Sequence, residues 1–160
     1  MDVPQGITVK VEGRKITVKG PKGEVHRSFP KGTEVQLNGG AVEVSCTDPA
    51  MKGTAEALIK NMFHGTINGY SRSMKLIYAH FPISIEVKGS DIMIKNFLGE
   101  KQPRKTVLIG STKVVAKGQS VEISGPDKEA VGQTVANMRQ AMRIKDKDGR
   151  VFQDGMYEAG

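Results

Sequence analysis

The sequence contains few of the residues that build disulfides, metal sites and aromatic surfaces. It has one cysteine, Cys46, no tryptophan, three tyrosines and five phenylalanines in 160 residues. A lone thiol can form neither an intramolecular disulfide nor a cysteine-based metal cage. The three histidines, His26, His64 and His80, have no His-x-x-x-His spacing, and none lies near Cys46 in the chain. We therefore predict no metal site, no cofactor and no catalytic residues.

Long apolar segments are missing as well. No run approaches the roughly 20 residues that a membrane-spanning helix needs. The first six residues, Met-Asp-Val-Pro-Gln-Gly, are too few and too polar for a signal peptide. We therefore expect a cytoplasmic protein without a membrane partner.

Positive charge is what the sequence has in excess. The chain contains 24 Lys and Arg against 17 Asp and Glu, which gives a net charge of +7. The half of the chain that ends at His80 holds 11 of these cations and 7 of the acids, so the two halves differ little in total charge. A basic balance favours a polyanionic partner, with nucleic acid first and an anionic membrane second. A basic surface without any special partner remains the alternative.

One pattern occurs twice along the chain, as two sets of matched positions. The first set has a constant offset of 76 in residue number, and the second, 42–45 with 121–124 and Asp48 with Asp127, has an offset of 79. The second copy therefore contains a three-residue insertion between the two sets, and two collinear sets indicate a duplication. The first set pairs Val9 with Ile85, Val11 with Val87, Gly13 with Gly89, Ile16 with Ile92, Val18 with Ile94 and Gly23 with Gly99.

Each copy changes from a hydrophobic period of two, typical of strands, to a period of 3.6, typical of a helix. Asp48 and Asp127 are suitable N-caps for helices over 51–63 and 131–142. We predict an α+β fold, a tandem duplication of a small antiparallel-sheet unit packed with one helix. The first repeat is predicted over residues 1–80, ending in a strand at 74–79, and the second over 81–160.

Clusters of cations distinguish the second copy from the first. They lie in a proline-containing loop and at the end of the last helix, where long flexible cations suit contacts with phosphates. Because aromatic platforms are scarce, we expect backbone and shape recognition instead of base stacking. The predicted RNA-binding residues are Lys101, Arg104, Lys105, Arg139, Arg143, Lys145, Lys147 and Arg150.

Two other classes of protein remain open at this point. The segment from Gly99 to Thr106 ends in Lys-Thr, which would be the basis of a small phosphoryl-handling enzyme. It lacks the second glycine of a phosphate-binding loop, and no helical pattern follows it. A protein-interaction module that uses the surface of the first copy is the other alternative.

Six motifs in order along the chain resemble the archaeal and eukaryotic branch of the large-subunit ribosomal protein L6 family. They cover nearly the whole chain, and the ordered set is far more specific than any single motif. The motifs are Asn-Met-Phe-His-Gly at 61–65, His-Phe-Pro at 80–82, Asn-Phe-Leu-Gly-Glu-Lys at 96–101, Ser-Gly-Pro-Asp at 124–127, Val-Gly-Gln-Thr at 131–134 and Arg-Val-Phe-Gln-Asp-Gly-Met-Tyr at 150–157.

The resemblance implies a structural, non-enzymatic protein of the large ribosomal subunit. It implies binding to large-subunit ribosomal RNA, mainly through the second copy, near the sarcin–ricin loop and the base of the factor-binding stalk. Neighbouring ribosomal proteins are implied partners, and translational GTPases are a further one. Family members continue past the Tyr157 position with an apolar residue and a short basic tail, where this sequence has Glu158-Ala159-Gly160.

Overall fold

The computed structural model describes residues 1–159. Within them the chain forms twelve strands, two helices and one 3₁₀ turn at Phe97–Gly99. The helices are α1 (Pro49–Ile67) and α2 (Lys128–Ala141). The strands are β1 (Thr8–Glu12), β2 (Lys15–Gly20), β3 (Gly23–Ser28), β4 (Thr33–Asn38), β5 (Ala41–Cys46), β6 (Tyr70–Ile77), β7 (Ser84–Lys88), β8 (Asp91–Lys95), β9 (Arg104–Val107), β10 (Lys113–Lys117), β11 (Ser120–Gly125) and β12 (Gly155–Glu158).

The chain divides into two compact units. Unit 1 comprises Met1–Tyr70 together with Gly125–Lys128, and unit 2 comprises Ser71–Ser124 together with the residues from Glu129 onward. Unit 1 contains the sheet β1-β2-β3 and the hairpin β4-β5, while unit 2 contains the sheets β7-β8-β9 and β10-β11-β6-β12. The α+β fold predicted from the sequence is confirmed. The division of the repeat between His80 and Phe81 stays a prediction.

In unit 1, α1 packs against strands β2, β3 and β5. The helix begins as predicted, because a side-chain oxygen of Asp48 accepts a hydrogen bond from the Ala50 N–H at 3.0 Å and Pro49 occupies the first turn. Successive side chains of a strand point to opposite faces of the sheet, so every second side chain faces the helix, and these positions are apolar. The core of unit 1 includes Ile16, Val18, Val25, Phe29, Val35, Val42, Val44, Ala55, Ile59, Met62 and Phe63.

In unit 2, α2 follows β11 as α1 follows β5 in unit 1. It buries one face, which includes Val131, Thr134, Val135 and Met138. The buried Thr134 hydroxyl donates to the Ala130 carbonyl and accepts the Ile109 N–H at 3.2 Å, so its polar group is satisfied inside the unit. Arg139, the cation in the last turn of α2, is exposed.

Strand register supports the duplication at the level of single residue pairs. The β1-β2 hairpin of unit 1 and the β7-β8 hairpin of unit 2 each turn at a glycine with a φ of 61°, Gly13 and Gly89. This left-handed conformation favours glycine, which explains the matched positions. The cross-strand pairs are Val9 with Val18 and Val11 with Ile16 in unit 1, and Ile85 with Ile94 and Val87 with Ile92 in unit 2.

The three-residue insertion of the second copy lies between β8 and β9. In unit 1, β2 pairs Val18 with Val25, whereas in unit 2 the equivalent Ile94 pairs with Arg104. The offset between equivalent positions thus changes from 76 to 79 within this connection. Gly23 pairs in β3, whereas Gly99 lies in the longer loop before β9, and the match of these two glycines stays a prediction.

Strand β6 lies beside β11, in the sheet of unit 2. The Leu76 N–H donates to the Gln119 carbonyl at 2.7 Å. In unit 1 the Val3 N–H donates at 3.0 Å to the carbonyl of Gly40, the position equivalent to Gln119 in the repeat. The strand predicted at the end of the first copy therefore occupies the position in unit 2 that the N-terminal segment occupies in unit 1.

Candidate nucleic-acid interface

The end of α2 and the loop that follows it present cations to solvent. Arg139, Arg143 and Lys145 are exposed, and the structure gives their side chains no acidic partner within residues 1–159. The chain leaves the helix through a tight turn in which the Arg143 N–H donates to the Gln140 carbonyl at 3.2 Å. Helix C-termini carry partial negative charge, so cations are stabilised there. Their spacing in the sequence predicts that Arg139 and Arg143 share one helical face, and this is wrong: Arg139 lies in the last turn of α2, whereas Arg143 follows the end of the helix at Ala141.

One groove of unit 2 brings cations from separate segments together. It has a volume of about 400 Å³, and its charged lining residues are all cations: Arg104, Lys105, Arg143 and Lys145. Gln140 and Ala141 complete the lining. Lys105 comes from β9, whereas Arg143 and Lys145 follow α2, so the fold joins the two basic clusters that the sequence shows apart. A concave, positively charged surface concentrates a polyanion.

A second groove, of about 550 Å³, shares Gln140 and Arg143 with the first and adds aromatic side chains to the basic surface. Arg139 and Arg143 line it together with Phe152 and Tyr157. The two aromatic residues are 40% and 43% exposed, and the Lys147 ammonium lies 4.8 Å from the centre of the Phe152 ring. Exposed rings beside cations can stack on nucleobases. Neither residue was predicted from the sequence: Phe152 follows the charged loop after α2, and Tyr157 lies in strand β12.

Arg104 differs from the other predicted residues because its guanidinium is already bound. Its Nε and Nη2 donate to the two carboxylate oxygens of Glu100 at 2.8 and 2.6 Å. Its Nη1 donates to the carbonyls of Ala141 and Arg143 at 2.9 and 3.0 Å. The guanidinium carbon also lies 4.5 Å from the centre of the Phe97 ring. The hydrogen bonds with Glu100 lower the pKa of Glu100 and raise that of Arg104, against the opposing effect of partial burial.

The remaining predicted residues are exposed. Arg150 donates to both carboxylate oxygens of Asp148 at 3.2 Å, and these bonds, with the Arg150 backbone N–H, lower the pKa of Asp148. The side chain of Arg150 is nevertheless 91% exposed, so the pair can exchange partners at little cost. Lys101 lies exposed in the loop before β9.

Cations of unit 1 lie among acids on its sheet. Lys15 is directly opposite Glu12 in the β1-β2 pair, and Lys19 is directly opposite Glu24 in the β2-β3 pair. Opposite charges at such positions attract one another and reduce the local field. The structure therefore shows a mixed-sign sheet surface in unit 1, in contrast to the cation-lined groove of unit 2.

The residues considered for chemistry lie in structural contacts. The His64 ring lies 5.1 Å from the Tyr70 ring at the end of α1, and His80 makes an edge contact with Phe81 at 4.8 Å. Residues 1–159 contain no group of three His, Cys, Asp or Glu side chains arranged to hold a metal. The loop considered as a phosphate site continues into strand β9 and not into a helix, so it lacks the helix N-terminus that phosphate loops use. None of the helices described is long and apolar enough to cross a membrane.

Comparison with known proteins gives one consistent family. The model of the family described as "Ribosomal protein L6" matches residues 3–69 and 81–155, one segment for each copy of the repeat. The chain is 46% identical to the "Large ribosomal subunit protein uL6" of Methanocella arvoryzae, over 98% of this chain and 93% of that protein. It is 45% identical to the protein of the same name from Methanobrevibacter smithii, over 98% of this chain and 92% of that protein.

Proposed function

The chain belongs to the ribosomal protein L6 family, and from this premise we propose that the basic surface of unit 2 binds large-subunit ribosomal RNA near the sarcin–ricin loop and the base of the factor-binding stalk. As a family member it is a structural, non-enzymatic component of the large ribosomal subunit, and its place is the ribosome in the cytoplasm. Ribosomal RNA and neighbouring ribosomal proteins are its partners.

The groove lined by Lys105, Arg143 and Lys145 carries the proposal for the RNA-binding surface. Its charged lining contains cations alone, and Arg139 extends the positive surface along α2. Phosphate contacts supply most of the non-specific affinity of nucleic-acid binding, because they release condensed counterions. The exposed rings of Phe152 and Tyr157 give the same surface a means to contact unpaired bases.

The location beside the sarcin–ricin loop and the stalk base rests on the resemblance to the family. Translational GTPases, which dock there, are a further proposed partner of this chain on the same ground.

A salt titration of RNA binding tests the proposal. The RNA is a large-subunit fragment that contains the sarcin–ricin loop and the stalk base, with a fragment of equal length from elsewhere as the control. Replacing Arg139 and Arg143 together by alanine should weaken binding and flatten the salt dependence by about one unit for each phosphate interaction removed. Replacing Lys10 and Lys15 in unit 1 together by alanine removes the same charge and should change both quantities much less.

Two outcomes would contradict the proposal in different ways. If the unit 1 variant loses as much affinity and salt dependence as the unit 2 variant, the RNA-binding surface is assigned to the wrong unit. If both RNA fragments bind equally well, the proposed location fails while RNA binding itself stands. Circular dichroism of each variant checks that the fold is intact.

A further inference from the structure

We propose that Arg104 is a positioning residue that links the loop 96–103 to the end of α2 and does not bind RNA phosphate itself. This inference rests on the proposed function, because it explains how the RNA-binding cations of unit 2 are held in place. It also changes the role that the sequence predicted for Arg104.

The hydrogen-bonding capacity of Arg104 is nearly used up inside the unit. A guanidinium has five N–H donors, and those of Arg104 are directed at the Glu100 carboxylate and the carbonyls of Ala141 and Arg143. The side chain is 26% exposed, against 91% for Arg150. Binding a phosphate in the forked geometry that arginine favours would require breaking the pair with Glu100. Within the described part of the chain, the other cations of the groove have no such competing partner.

The two carbonyls that Arg104 binds belong to the end of α2. The last carbonyls of a helix have no partner within the helix and need donors from elsewhere. Ala141 is the last residue of α2, and Arg143 lies just beyond it. Because Arg104 binds the backbone of Arg143, it fixes the chain from which a proposed phosphate ligand projects.

The loop on the other side of Arg104 needs external support. Asn96 and Leu98 have φ values of 60° and 53°, in the left-handed region that non-glycine residues seldom adopt. Such strain persists only where the surroundings hold it in place. The Phe97 side chain is 1% exposed and lies under the Arg104 guanidinium. The Glu100 carboxylate accepts two hydrogen bonds from the same guanidinium. Arg104 therefore stabilises the conformation that presents Lys101 to solvent.

Variants that keep the charge separate positioning from phosphate binding. Arg104→Lys retains a cation but cannot make the forked contact with Glu100 and reach both carbonyls. A positioning role predicts that Arg104→Lys and Arg104→Ala lose RNA affinity by a similar factor, about tenfold, the size expected when charge-assisted hydrogen bonds are removed. A phosphate ligand would behave differently: Arg104→Lys would bind almost as the parent protein does, and Arg104→Ala would flatten the salt dependence by about one unit.

Substitution of Glu100 is a second test, because a positioning role and a phosphate-binding role of Arg104 predict different changes in RNA affinity. Glu100→Asp keeps the negative charge but shortens the side chain, so it disturbs the pair without changing the net charge. Positioning predicts weaker RNA binding by Glu100→Asp, whereas release of a phosphate-binding arginine predicts equal or stronger binding. The matched control is the exposed pair of Arg72 and Glu158 in the same unit, which are 3.0 Å apart and more than half exposed. Arg72→Lys and Glu158→Asp should leave RNA affinity unchanged.

Amide hydrogen exchange on the free protein tests the link without RNA. In Arg104→Lys, the amides of Gly99, Glu100, Met142 and Arg143, each bonded to a backbone carbonyl, should exchange faster, while those of β1–β3 should not change. The inference is overturned if these amides keep the exchange rates of the parent protein, or if Arg104→Lys binds RNA with unchanged affinity. Failure of the parent protein to bind the RNA fragment would instead refute the proposed function, and the exchange result would still decide whether Arg104 holds the loop and the helix end.

Discussion

The connection between the second and third strands of the repeat differs between the two units. In unit 1 it is Pro21 and Lys22, and the Lys22 N–H donates to the Thr66 carbonyl near the end of α1 at 2.9 Å. In unit 2 it is the loop 96–103, and the Arg104 side chain that follows donates to carbonyls at the end of α2. Both connections thus supply hydrogen-bond donors to carbonyls at a helix end. In unit 1 the donor is a backbone N–H, and in unit 2 it is a side chain. Each connection also carries an exposed lysine, Lys22 in unit 1 and Lys101 in unit 2.

The two units are therefore alike in the core and different at the surface. The matched buried strand positions, such as Ile16 with Ile92 and Val18 with Ile94, keep apolar side chains in both units because packing sets them. Solvent-exposed positions are under no such constraint. Both units pair opposite charges across strands, Lys15 with Glu12 in unit 1 and Lys88 with Asp91 in unit 2, but unit 2 also gathers cations around one groove. A duplicated fold can thus change its binding surface in one copy without changing the framework of either.

The largest effect is expected from shortening an equivalent core residue in each unit. Ile16 and Ile92 are both 0% exposed and occupy matched positions of the repeat in strands β2 and β8. Replacing either by alanine should lower the free energy of unfolding by about 2–5 kcal/mol, because burial is reduced and a cavity is left behind. Denaturant unfolding measures the change, with Lys15→Ala and Asp91→Ala, exposed neighbours in the same strands, as controls.

This pair of variants also tests the likeness of the two cores. One substitution could lower the free energy of unfolding by several kcal/mol and the other by less than about 1 kcal/mol. The two positions would then be equivalent in the sequence repeat, but their side chains would not be packed equally well. Hydrogen exchange would then show which unit opens first, because local stability need not be uniform along a chain.

A second prediction concerns a turn of helix that α1 has and α2 does not. Ala141, the last residue of α2, corresponds to Met62, and α1 continues beyond that position to Ile67. Gly65 lies in the additional turn, and a Cβ there would overlap the carbonyl oxygen of Pro126, which belongs to unit 1. Gly65→Ala should therefore lower the free energy of unfolding by about 1–3 kcal/mol, the usual cost of overpacking, as measured by denaturant unfolding.

The control for Gly65 is the same substitution elsewhere on the helices. Gly53 in α1 and Gly132 in α2 are exposed, equivalent in the repeat, and a Cβ at either would meet nothing within 4 Å. Gly53→Ala and Gly132→Ala should each raise the free energy of unfolding by about 0.5–1 kcal/mol, because alanine favours helix interiors. Equal stabilisation by Gly65→Ala would mean that the close approach to Pro126 is not a constraint.

Local patterns predicted the features that depend on neighbours in the chain. The matched glycines Gly13 and Gly89, the N-cap Asp48 and the two helices all follow from spacing and residue type. The structure places both glycines in hairpin turns and confirms the cap and the helices. Partners distant in the chain were not predictable in the same way. Periodicity showed a strand at 74–79 but not the strand beside it, since alternation defines a face and says nothing of the neighbour.

In the candidate site, too, local features were predicted from the sequence and contacts between distant residues were not. The cations of the groove were identified from composition and spacing, whereas the bonding of Arg104 to the distant carbonyls of Ala141 and Arg143 was not visible in the sequence. The exposed rings of Phe152 and Tyr157 were missed for a related reason. Phe and Tyr side chains are often buried in folded proteins, and only the fold shows these two at the surface.

The smallest expected effect is a change in acid stability at the loop that distinguishes unit 2. The hydrogen bonds from Arg104 hold the pKa of Glu100 below its ordinary value of 4.5. A lowered folded-state pKa means that the ionised form stabilises the fold above the unfolded-state pKa, and that this contribution is lost as the pH falls through the folded-state pKa. Glu100→Gln should therefore make the free energy of unfolding less dependent on pH from about 4.5 downward.

The effect should be small because the Glu100 side chain is 39% exposed and solvent screens its interaction with Arg104. Denaturant unfolding at a series of pH values from neutral to acid measures it, as the difference between the parent protein and Glu100→Gln. In the background of Arg104→Ala the same substitution should have no further effect, since the partner that lowers the pKa is gone. If Glu100→Gln reduces the pH dependence of the free energy of unfolding equally in both backgrounds, the Glu100 carboxylate interacts with a group other than Arg104. The ion pair of Glu100 and Arg104 would then not be what distinguishes the connection of unit 2 from that of unit 1.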